Sequence, residues 1–226
     1  MKKIVSYSLF GDKPRYTVNS LINADLCAEY YPDWKCRIYY DGTVSNRVIS
    51  ELNKKSNVEL VMSNGMGHAR RMWRFLSYDD CDVFVSRDID SYITKREVSA
   101  VNEWLDSGKN LHAMRDHPHH KNKIQAGMFG LRKNDKLQNI KSLYDNFINS
   151  SNNHLSMDEV FLTDKIYNLY THDMIVHDDN NFHSDKTNDW KESILYNDEY
   201  GQFIGRAQYP PSIHQEEFQK YERILR

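Results

Sequence analysis

Short apolar runs alternate with amphipathic stretches along most of this chain. The runs of strand length lie at 4–9, 37–40, 58–62, 83–85, 111–114 and 174–176. Between them, apolar residues recur three and four positions apart, as on one face of a helix, most clearly from Pro14 to Leu26. Strands that alternate with helices predict an α/β fold, in which a mainly parallel sheet carries helices on both faces.

Capping sequences mark two helix starts in the second half of the chain. Residues 94–97 and 156–159 match the capping box, in which a Ser or Thr and a Glu three residues later satisfy the first backbone amides. The helices predicted after the third strand cover 69–77, 94–105, 136–149 and 156–170. No repeat, low-complexity tract or linker divides the sequence, so we expect a single domain.

Composition removes several classes of protein. The 226 residues are 12% aromatic, too many for a disordered chain, and the formal charge is only -2. Without a basic excess, we expect no nucleic-acid partner. No apolar run reaches the roughly 18–20 residues of a membrane span, and the start lacks the apolar region of a signal peptide, so we expect a cytoplasmic protein. Cys27, Cys36 and Cys81 have no metal spacing and fit buried side chains in a reducing compartment.

Asp88 and Asp90 follow the apolar run 83–85, where a buried strand would end. Open α/β sheets bind ligands at the carboxyl ends of their strands. Two carboxylates one residue apart can approach one hard cation such as Mg²⁺ or Mn²⁺, which keeps its other positions for water and phosphate oxygens. A solvated acidic turn is the alternative, but the position after a buried strand favours the metal.

Two further polar clusters follow predicted strands. The segment 114–120 contains an Arg, Asp116 and three histidines, and 125–130 contains two glycines that let the backbone approach a ligand closely. His177 and Asp178 follow the last predicted strand. Each cluster also fits a solvated loop, and a single histidine is more often simply hydrogen-bonded than a metal ligand.

Three arginines precede the first acidic pair on a predicted helix. Arg70 and Arg71 lie four and three residues before Arg74, so like charges stack unless an anion receives them. A diphosphate is one candidate partner, and the aspartates at 79, 80 and 82 are the other. Asp158 and Glu159 need no ligand, because Glu159 completes a capping box and Asp158 favours the helix N-terminus electrostatically.

The order of these motifs resembles the GT-A glycosyltransferases. Residues 71–76 and 81–90 are similar to the arginine helix and D-x-D motif of the glycogenin-like and bacterial galactosyltransferase group. Residues 126–130 resemble its donor-sugar segment, and 158–162 resembles its Asp-Gln-x-x-Leu helix start, with Glu in place of Gln. The resemblance covers most of 1–205 and is greatest to small glycosyltransferase domains of large DNA viruses and some bacteria.

The resemblance implies roles for individual residues. Asp88 and Asp90 would hold Mn²⁺ or Mg²⁺ and, through it, the diphosphate of a nucleotide sugar, with His177 or its neighbour Asp178 as a third ligand. Gly127 and Asp158 would line the donor sugar. The other residues implied in donor binding are Ser8, Leu9, Phe10, Tyr16, Asp41, Arg71 and Arg74.

The implied reaction moves a hexose from a nucleotide-diphosphate sugar, with UDP as the expected nucleotide, to a hydroxyl of a glycan acceptor. An inverting enzyme needs a carboxylate base, for which Asp158 and Asp116 are the candidates, whereas a retaining enzyme needs none. Residues 1–91 would form the nucleotide-binding half, 92–205 the donor-sugar and acceptor half, and 206–226 a C-terminal tail.

Two other functions stay open. A haloacid-dehalogenase-like phosphatase also places D-x-D after an apolar strand, with Asp88 as nucleophile and a later acidic pair, here Asp178 and Asp179. In that class the motif normally follows the first strand, whereas about three strands precede it here. A non-catalytic sugar-binding domain would keep the aromatic side chains but would need no metal pair.

Overall fold

The computed structural model describes residues 1–151, 154–178, 203–211 and 213–226, together with the backbone of 189–190. The strands are β1 (Lys3–Leu9), β2 (Lys35–Tyr40), β3 (Val58–Met62), β4 (Val83–Arg87), β5 (Leu111–Arg115), β6 (Met128–Arg132), β7 (Met174–Asp178) and β8 (Asp189–Trp190). The α-helices are α1 (Pro14–Tyr30), α2 (Asn46–Asn53), α3 (Lys95–Ser107), α4 (Ile140–Ser150), α5 (Met157–Phe161), α6 (Asn168–Tyr170) and α7 (Gln215–Leu225). A 3₁₀ helix, Gly67–Asp80, carries the three arginines and is called the arginine helix below.

The strands form one sheet in the order β3-β2-β1-β4-β6-β5-β7-β8. All pairings are parallel except those of β6, which runs antiparallel to both β4 and β5. The predicted α/β fold with a mainly parallel sheet is therefore confirmed. The predicted set of strands lacked β6, because its glycines indicated a ligand loop. Gly130 instead makes room for Trp104, since a Cβ there would lie 2.6 Å from the indole.

Alternate residues of the central strands face opposite layers of helices. Val5 of β1 and Val85 of β4 belong to an apolar cluster that includes side chains of α1, α2 and α3. Ile4 and Phe84, one position away, belong to a second cluster with side chains of the arginine helix, α4 and α5. Both faces of the sheet are thus covered, which is why its strands read as continuous apolar runs.

The two predicted capping boxes behave differently. Thr94 caps α3, since its hydroxyl accepts a hydrogen bond from the amide of Glu97 at 3.2 Å. Ser156 makes no such bond, because its φ of -102° and ψ of 20° depart from the extended backbone of a capping residue. The second capping box is therefore a wrong prediction, and its side chains are available for other contacts. The helix that it was expected to start consists of α5, a π-helical segment (Leu162–Tyr167) and α6.

The C-terminal residues return to the first half of the chain. Helix α7 packs against α1, with Phe218 buried in the first apolar cluster. The segment 203–211 crosses the turn after β4, where Gln208 donates its amide to the carbonyl of Asp90 at 2.7 Å. No described helix combines the length and apolar composition needed to cross a membrane.

Candidate active site

The carboxyl ends of β1 and β4 open into a cleft of about 480 Å³. Its polar lining comes from separate parts of the chain that the sheet order brings together. Phe10 and Tyr16 follow β1, Asp88 and Asp90 follow β4, and Asp158 begins α5. The lining residues named for donor or metal binding by the sequence are Ser8, Phe10, Tyr16, Arg71, Arg74, Asp88, Asp90, Gly127 and Asp158.

Asp88 packs tightly against the start of β6. A Cβ on Gly127 would lie 2.0 Å from Oδ2 of Asp88, so only glycine leaves the carboxylate in this position. The register explains the contact, because Arg87 pairs with Met128 across the two antiparallel strands. Arg87 also donates to the carbonyl of Gly127 at 2.7 Å, and its own charge is met by Glu97 at 2.8 Å, with both side chains fully buried.

Arg74 lies between two carboxylates at the bottom of the cleft. Its guanidinium is ion-paired with Asp88 and stands 3.4 Å from Asp158, and it donates to the carbonyl of Arg87 at 3.1 Å. The side chain is only 5% exposed. Burial alone would raise the pKa of Asp88, but the nearby charge of Arg74 and its hydrogen bond lower it below the ordinary value. Asp88 is thus held in its anionic form.

Asp90 has an opposite pKa shift. Burial and the charge of Asp88 raise its pKa, and Arg15 offsets this only in part. Arg15 lies in the first turn of α1, and its Nε and Nη2 stand 2.5 Å from Oδ2 of Asp90. Two carboxylates close enough to disfavour each other's ionisation form a site where a cation is stabilising.

Asp158 and Glu159 both line the cleft. Oδ1 of Asp158 accepts the amide of Glu159 at 3.1 Å, while Oδ2 faces Arg74. Glu159 is half-buried, and burial together with the charges of Asp158 and Asp88 raises its pKa to about 7. With the Gln125 amide in its better-satisfied orientation, its nitrogen donates to Glu159 at 3.2 Å. Glu159 is therefore a site residue and not a helix cap.

The outer end of the cleft is aromatic and cationic. The guanidinium of Arg70 stands 4.4 Å from the ring centroid of Phe10, and Arg70 also pairs with Asp41 at 3.1 Å. Ser8 donates to the carbonyl of Arg71 at 3.1 Å and accepts the amide of Arg74 at 3.1 Å, which joins the arginine helix to the end of β1.

Two predicted donor residues lie outside the cleft lining. Leu9 is fully buried in the first apolar cluster, because alternation along β1 turns its side chain away from the cleft. Asp41 accepts from Thr43 and Arg70, so it acts on the cleft only through the arginine that covers Phe10. The buried Leu9 side chain is thus not exposed to a donor, and a donor contact of Asp41 stays a prediction.

His177, the predicted third metal ligand, has other partners and lies outside the cleft lining. Its Nδ1 lies 2.9 Å from Nε2 of His112, and its Nε2 lies 2.9 Å from Glu103. The alternative ligand, Asp178, is buried against Arg115 at 2.8 Å. Neither residue lines the cleft. The reason is the parallel pairing of β7 with β5, which places Asp178 opposite Arg115 and, on the other face of the sheet, His177 diagonally from His112.

Asp116 is likewise removed as a candidate base. Its two oxygens accept from Arg96 at 2.7 and 2.5 Å, and Oδ2 also accepts the amide of Ile204 at 2.9 Å. The carboxylate is buried and is not part of the cleft lining. Its contacts show a structural role that joins α3 to the C-terminal segment.

The lining also includes residues to which the sequence assigned no individual role. Besides Glu159, they include Arg15, His120, Gln125 and Gly205, of which His120 and Gln125 belong to the polar segments 114–120 and 125–130. Burial and then His117 lower the pKa of His120 to about 4. No local signal distinguishes Arg15 from other exposed helical arginines, and Gly205 comes from a part of the chain about 115 residues after the acidic pair. A Cβ on Gly205 would lie 2.4 Å from the sulfur of Met128.

The chemistry of the donors fits a divalent cation held by Asp88 and Asp90. No cluster of three His, Cys, Asp or Glu side chains suited to a metal occurs among the described residues. A cation here would therefore take two carboxylates from the chain and its remaining ligands from water and phosphate, as Mg²⁺ commonly does. The Gly127 contact and the raised pKa of Asp90 both indicate a site shaped around these two carboxylates.

Solved structures similar to this chain include glycosyltransferases. A glycosyltransferase involved in the glycosylation of the major capsid of PBCV-1 matches with a TM-score of 0.52 and 14% identity over 79% of this chain and 82% of its own. Staphylococcus aureus TarS in complex with UDP matches with a TM-score of 0.53 and 12% identity over 100% and 64%. The mannosyltransferase PcManGT from Pyrobaculum calidifontis, with GDP-Man and Mn²⁺, matches with a TM-score of 0.51 and 12% identity over 79% and 55%.

These likenesses establish the fold, which is of the GT-A glycosyltransferase type. The chain spans about two thirds of the TarS chain and about half of PcManGT. No protein-family model matches the sequence, and no curated protein does.

Proposed function

We propose that this protein is a metal-dependent glycosyltransferase that moves a sugar from a nucleotide-diphosphate sugar to a hydroxyl of a glycan. One observation carries the proposal. Asp88 and Asp90 stand at the end of the central strand β4, in a cleft whose outer end presents Phe10 and Tyr16. Carboxylates for a cation, arginines for a diphosphate and aromatic rings for a base thus occur in one continuous space.

Individual residues of the cleft would have different roles in the reaction. Asp88 and Asp90 would hold Mn²⁺ or Mg²⁺, which supplies positive charge to the diphosphate as it leaves. Arg71 lines the cleft and is positioned by its hydrogen bond to the carbonyl of Leu155 at 3.1 Å. Arg74 is buried, keeps Asp88 anionic and holds Asp158 in place. Gly127 leaves room for the Asp88 carboxylate and lines the cleft beside it, where the donor sugar would lie.

Of the two carboxylates proposed as a base, only Asp158 lines the cleft. If the reaction inverts configuration, Asp158 is the proposed acceptor of the glycan proton. UDP is the proposed nucleotide. TarS has been solved with UDP and PcManGT with GDP-Man, so both nucleotides belong in the test.

Within the described residues, the later acidic pair that a phosphatase would use does not contribute to the cleft lining. Asp178 is paired with Arg115, and Asp179 lies outside the described residues. β4 also stands in the middle of the sheet after three earlier strands. Hydrolysis of a generic phosphomonoester that depends on Asp88 would favour the phosphatase over the transferase.

A thermal-shift and hydrolysis panel tests the proposal. We expect Mn²⁺ with a nucleoside diphosphate to raise the melting temperature, and one nucleotide sugar to be hydrolysed only when Mn²⁺ is present. Asp88→Ala with Asp90→Ala should remove both effects. The matched control is Asp135→Ala with Asp164→Ala, two exposed aspartates outside the cleft lining, which should leave both unchanged. No shift with any nucleoside diphosphate would refute the transferase. Binding without turnover of any sugar would indicate the non-catalytic domain.

A further inference from the structure

Arg15 pairs with the second carboxylate of the acidic pair, Asp90. Its Nε and Nη2 stand 2.5 Å from Oδ2 of Asp90, and its side chain is 39% exposed whereas that of Asp90 is 14% exposed. Arg15 also lines the cleft. Its position follows from Pro14, which begins α1 and places Arg15 in the first turn beside the end of β4.

The arginines that pair with Asp88 and Asp90 differ in burial and in their number of contacts. Arg74 is 5% exposed and bonded to Asp88, to Asp158 and to the carbonyl of Arg87, so leaving would strand a buried charge. Arg15 has an ion pair with Asp90 and a contact of 5.5 Å with the ring of Tyr16. Arg15 is therefore the arginine that can leave its carboxylate when a cation takes over the charge of Asp90, because its own side chain is 39% exposed and its charge can return to water.

A divalent cation and Arg15 would compete for the negative charge of Asp90. A cation held by Asp88 and Asp90 would neutralise the carboxylate whose Oδ2 the guanidinium now contacts. A guanidinium displaced from there stays in the cleft, because α1 anchors it, and would face the phosphates that the cation binds. The planar guanidinium can donate two parallel hydrogen bonds to a phosphate.

We propose that Arg15 is a further donor-binding residue that exchanges partners: it is the counter-ion of Asp90 in the free protein and a ligand of the donor diphosphate once the cation is bound. The inference rests on the proposed function, because it takes the ligand to be a nucleoside diphosphate. It predicts effects of opposite sign on two equilibria. Removing the charge of Arg15 strengthens binding of the cation alone and weakens binding of the diphosphate in the presence of the cation.

The experiment measures both equilibria for wild type and Arg15→Gln. MnCl₂ alone is titrated and free Mn²⁺ is followed by electron paramagnetic resonance. UDP and GDP are then titrated in parallel at saturating Mn²⁺ by calorimetry. We expect Arg15→Gln to bind Mn²⁺ roughly 2–5-fold more tightly, as loss of a weak competing ion pair implies. We expect it to bind the nucleotide at least about tenfold more weakly, as loss of a charge-assisted hydrogen bond implies.

Two further variants separate charge from general damage. Arg15→Lys keeps the charge without the planar donors, so its nucleotide affinity should fall between those of wild type and Arg15→Gln. Arg47→Gln removes an exposed arginine of α2 that does not line the cleft and should change neither equilibrium. Melting temperatures without ligand confirm that the variants fold.

The outcomes distinguish this inference from the proposed function. If wild type binds Mn²⁺ and a nucleotide but Arg15→Gln leaves the nucleotide affinity unchanged, Arg15 is only a counter-ion and the exchange is wrong. If Arg15→Gln weakens the binding of both Mn²⁺ and the nucleotide, Arg15 positions Asp90 and the exchange is again wrong. If wild type binds neither Mn²⁺ nor a nucleotide, the proposed function fails and the exchange fails with it.

Discussion

Strands β4 and β5 run in the same direction, are separated in the sheet only by β6, and both end in Arg followed by Asp. In each dipeptide the arginine is buried and paired with a carboxylate, Arg87 with Glu97 and Arg115 with Asp178, both at 2.8 Å. The aspartates differ. Asp88 opens into the cleft, whereas Asp116 is fixed by Arg96 outside it.

The difference lies in what surrounds each carboxylate. Asp90, Asp158 and Glu159 lie near Asp88, and Arg74 is shared between Asp88 and Asp158. Asp116 has a guanidinium that meets both of its oxygens and a backbone amide. One strand end therefore keeps an excess of negative charge for a ligand, and the other is neutralised within the fold. An Arg-Asp dipeptide at a strand end can therefore either face a ligand cleft or connect elements of the fold.

The largest expected effect concerns the buried arginine–carboxylate pair that occurs at both strand ends. Arg87→Met and Arg115→Met should each lower the free energy of unfolding by about 3–5 kcal/mol, because each leaves a buried carboxylate without its partner. Urea denaturation at pH 7 measures this. Arg87→Met combined with Glu97→Leu should recover part of the loss, since an apolar pair needs no counter-charge. A loss below about 1 kcal/mol for either arginine would show that its pair is not a structural element.

The second prediction separates the two aspartates. Asp88→Asn should reduce metal-dependent turnover of the donor by roughly 10²–10³-fold, with little change in stability, because it weakens the hold on the cation that would stabilise the leaving diphosphate. Asp116→Asn should instead lower the free energy of unfolding by about 1.5–3 kcal/mol through weakened charge-assisted hydrogen bonds. Steady-state hydrolysis and urea denaturation are measured for both variants. Similar profiles for the two would contradict the assignment of separate roles.

The third prediction uses the two glycines next to these strands. Gly127→Ala should weaken Mn²⁺ binding by about tenfold, or ~1.4 kcal/mol, because the new methyl displaces the Asp88 carboxylate. Gly130→Ala meets Trp104 and should cost about 1–3 kcal/mol of stability through overpacking, with Mn²⁺ binding less affected. Calorimetric Mn²⁺ titrations and thermal melts test both. Unchanged Mn²⁺ affinity in Gly127→Ala would mean that the cation does not use Asp88 as placed here.

The smallest expected effect reports on the repulsion among the carboxylates at the end of β4. The pKa of Glu159 is about 7, above the roughly 4.3 of an unfolded glutamate, so the folded state binds its proton more tightly. Stability from this group is present below the unfolded pKa and is lost as the pH rises towards 7. Glu159→Gln removes that dependence.

We expect Glu159→Gln to melt about 2–4 °C above wild type at pH 8, which corresponds to roughly 1 kcal/mol in a chain of this size. At pH 5 the difference should be smaller. The melts are made with EDTA so that no bound cation contributes. Glu216→Gln, an exposed glutamate of α7, is the control and should give no pH-dependent difference. An equal difference at both pH values would show that repulsion among the carboxylates is not its source.

Most elements were predictable because their signals are local. The apolar runs gave β1 to β5 and β7, and helix periodicity gave α1 to α4. β6 was missed because Gly127 and Gly130 weaken its strand pattern, and the reason for both glycines is a neighbour distant in sequence or across the sheet, Asp88 and Trp104. The assignment of Ser156 as a helix cap failed because its backbone departs from the extended conformation, which no residue pattern shows.

The residues of the site also include some that a local signal indicates and others that it does not. Asp88 and Asp90 lie at the cleft as their position after an apolar strand indicated, since strand ends of a parallel sheet share one edge. His177 shares the position after a strand, yet its imidazole meets His112, because β7 pairs with β5 and the two histidines lie diagonally across that pair.

The sequence by itself determined the α/β fold, the order of its strands and helices, and the acidic pair at the end of a buried strand. Periodicity and burial of short segments depend on neighbouring residues, so they can be read along the chain. Only the tertiary structure decided which Arg-Asp strand end faces the cleft, and that Arg15 and Glu159 belong to it. Those outcomes depend on strand order and on partners such as Arg96 and Arg74 that meet only when the chain folds.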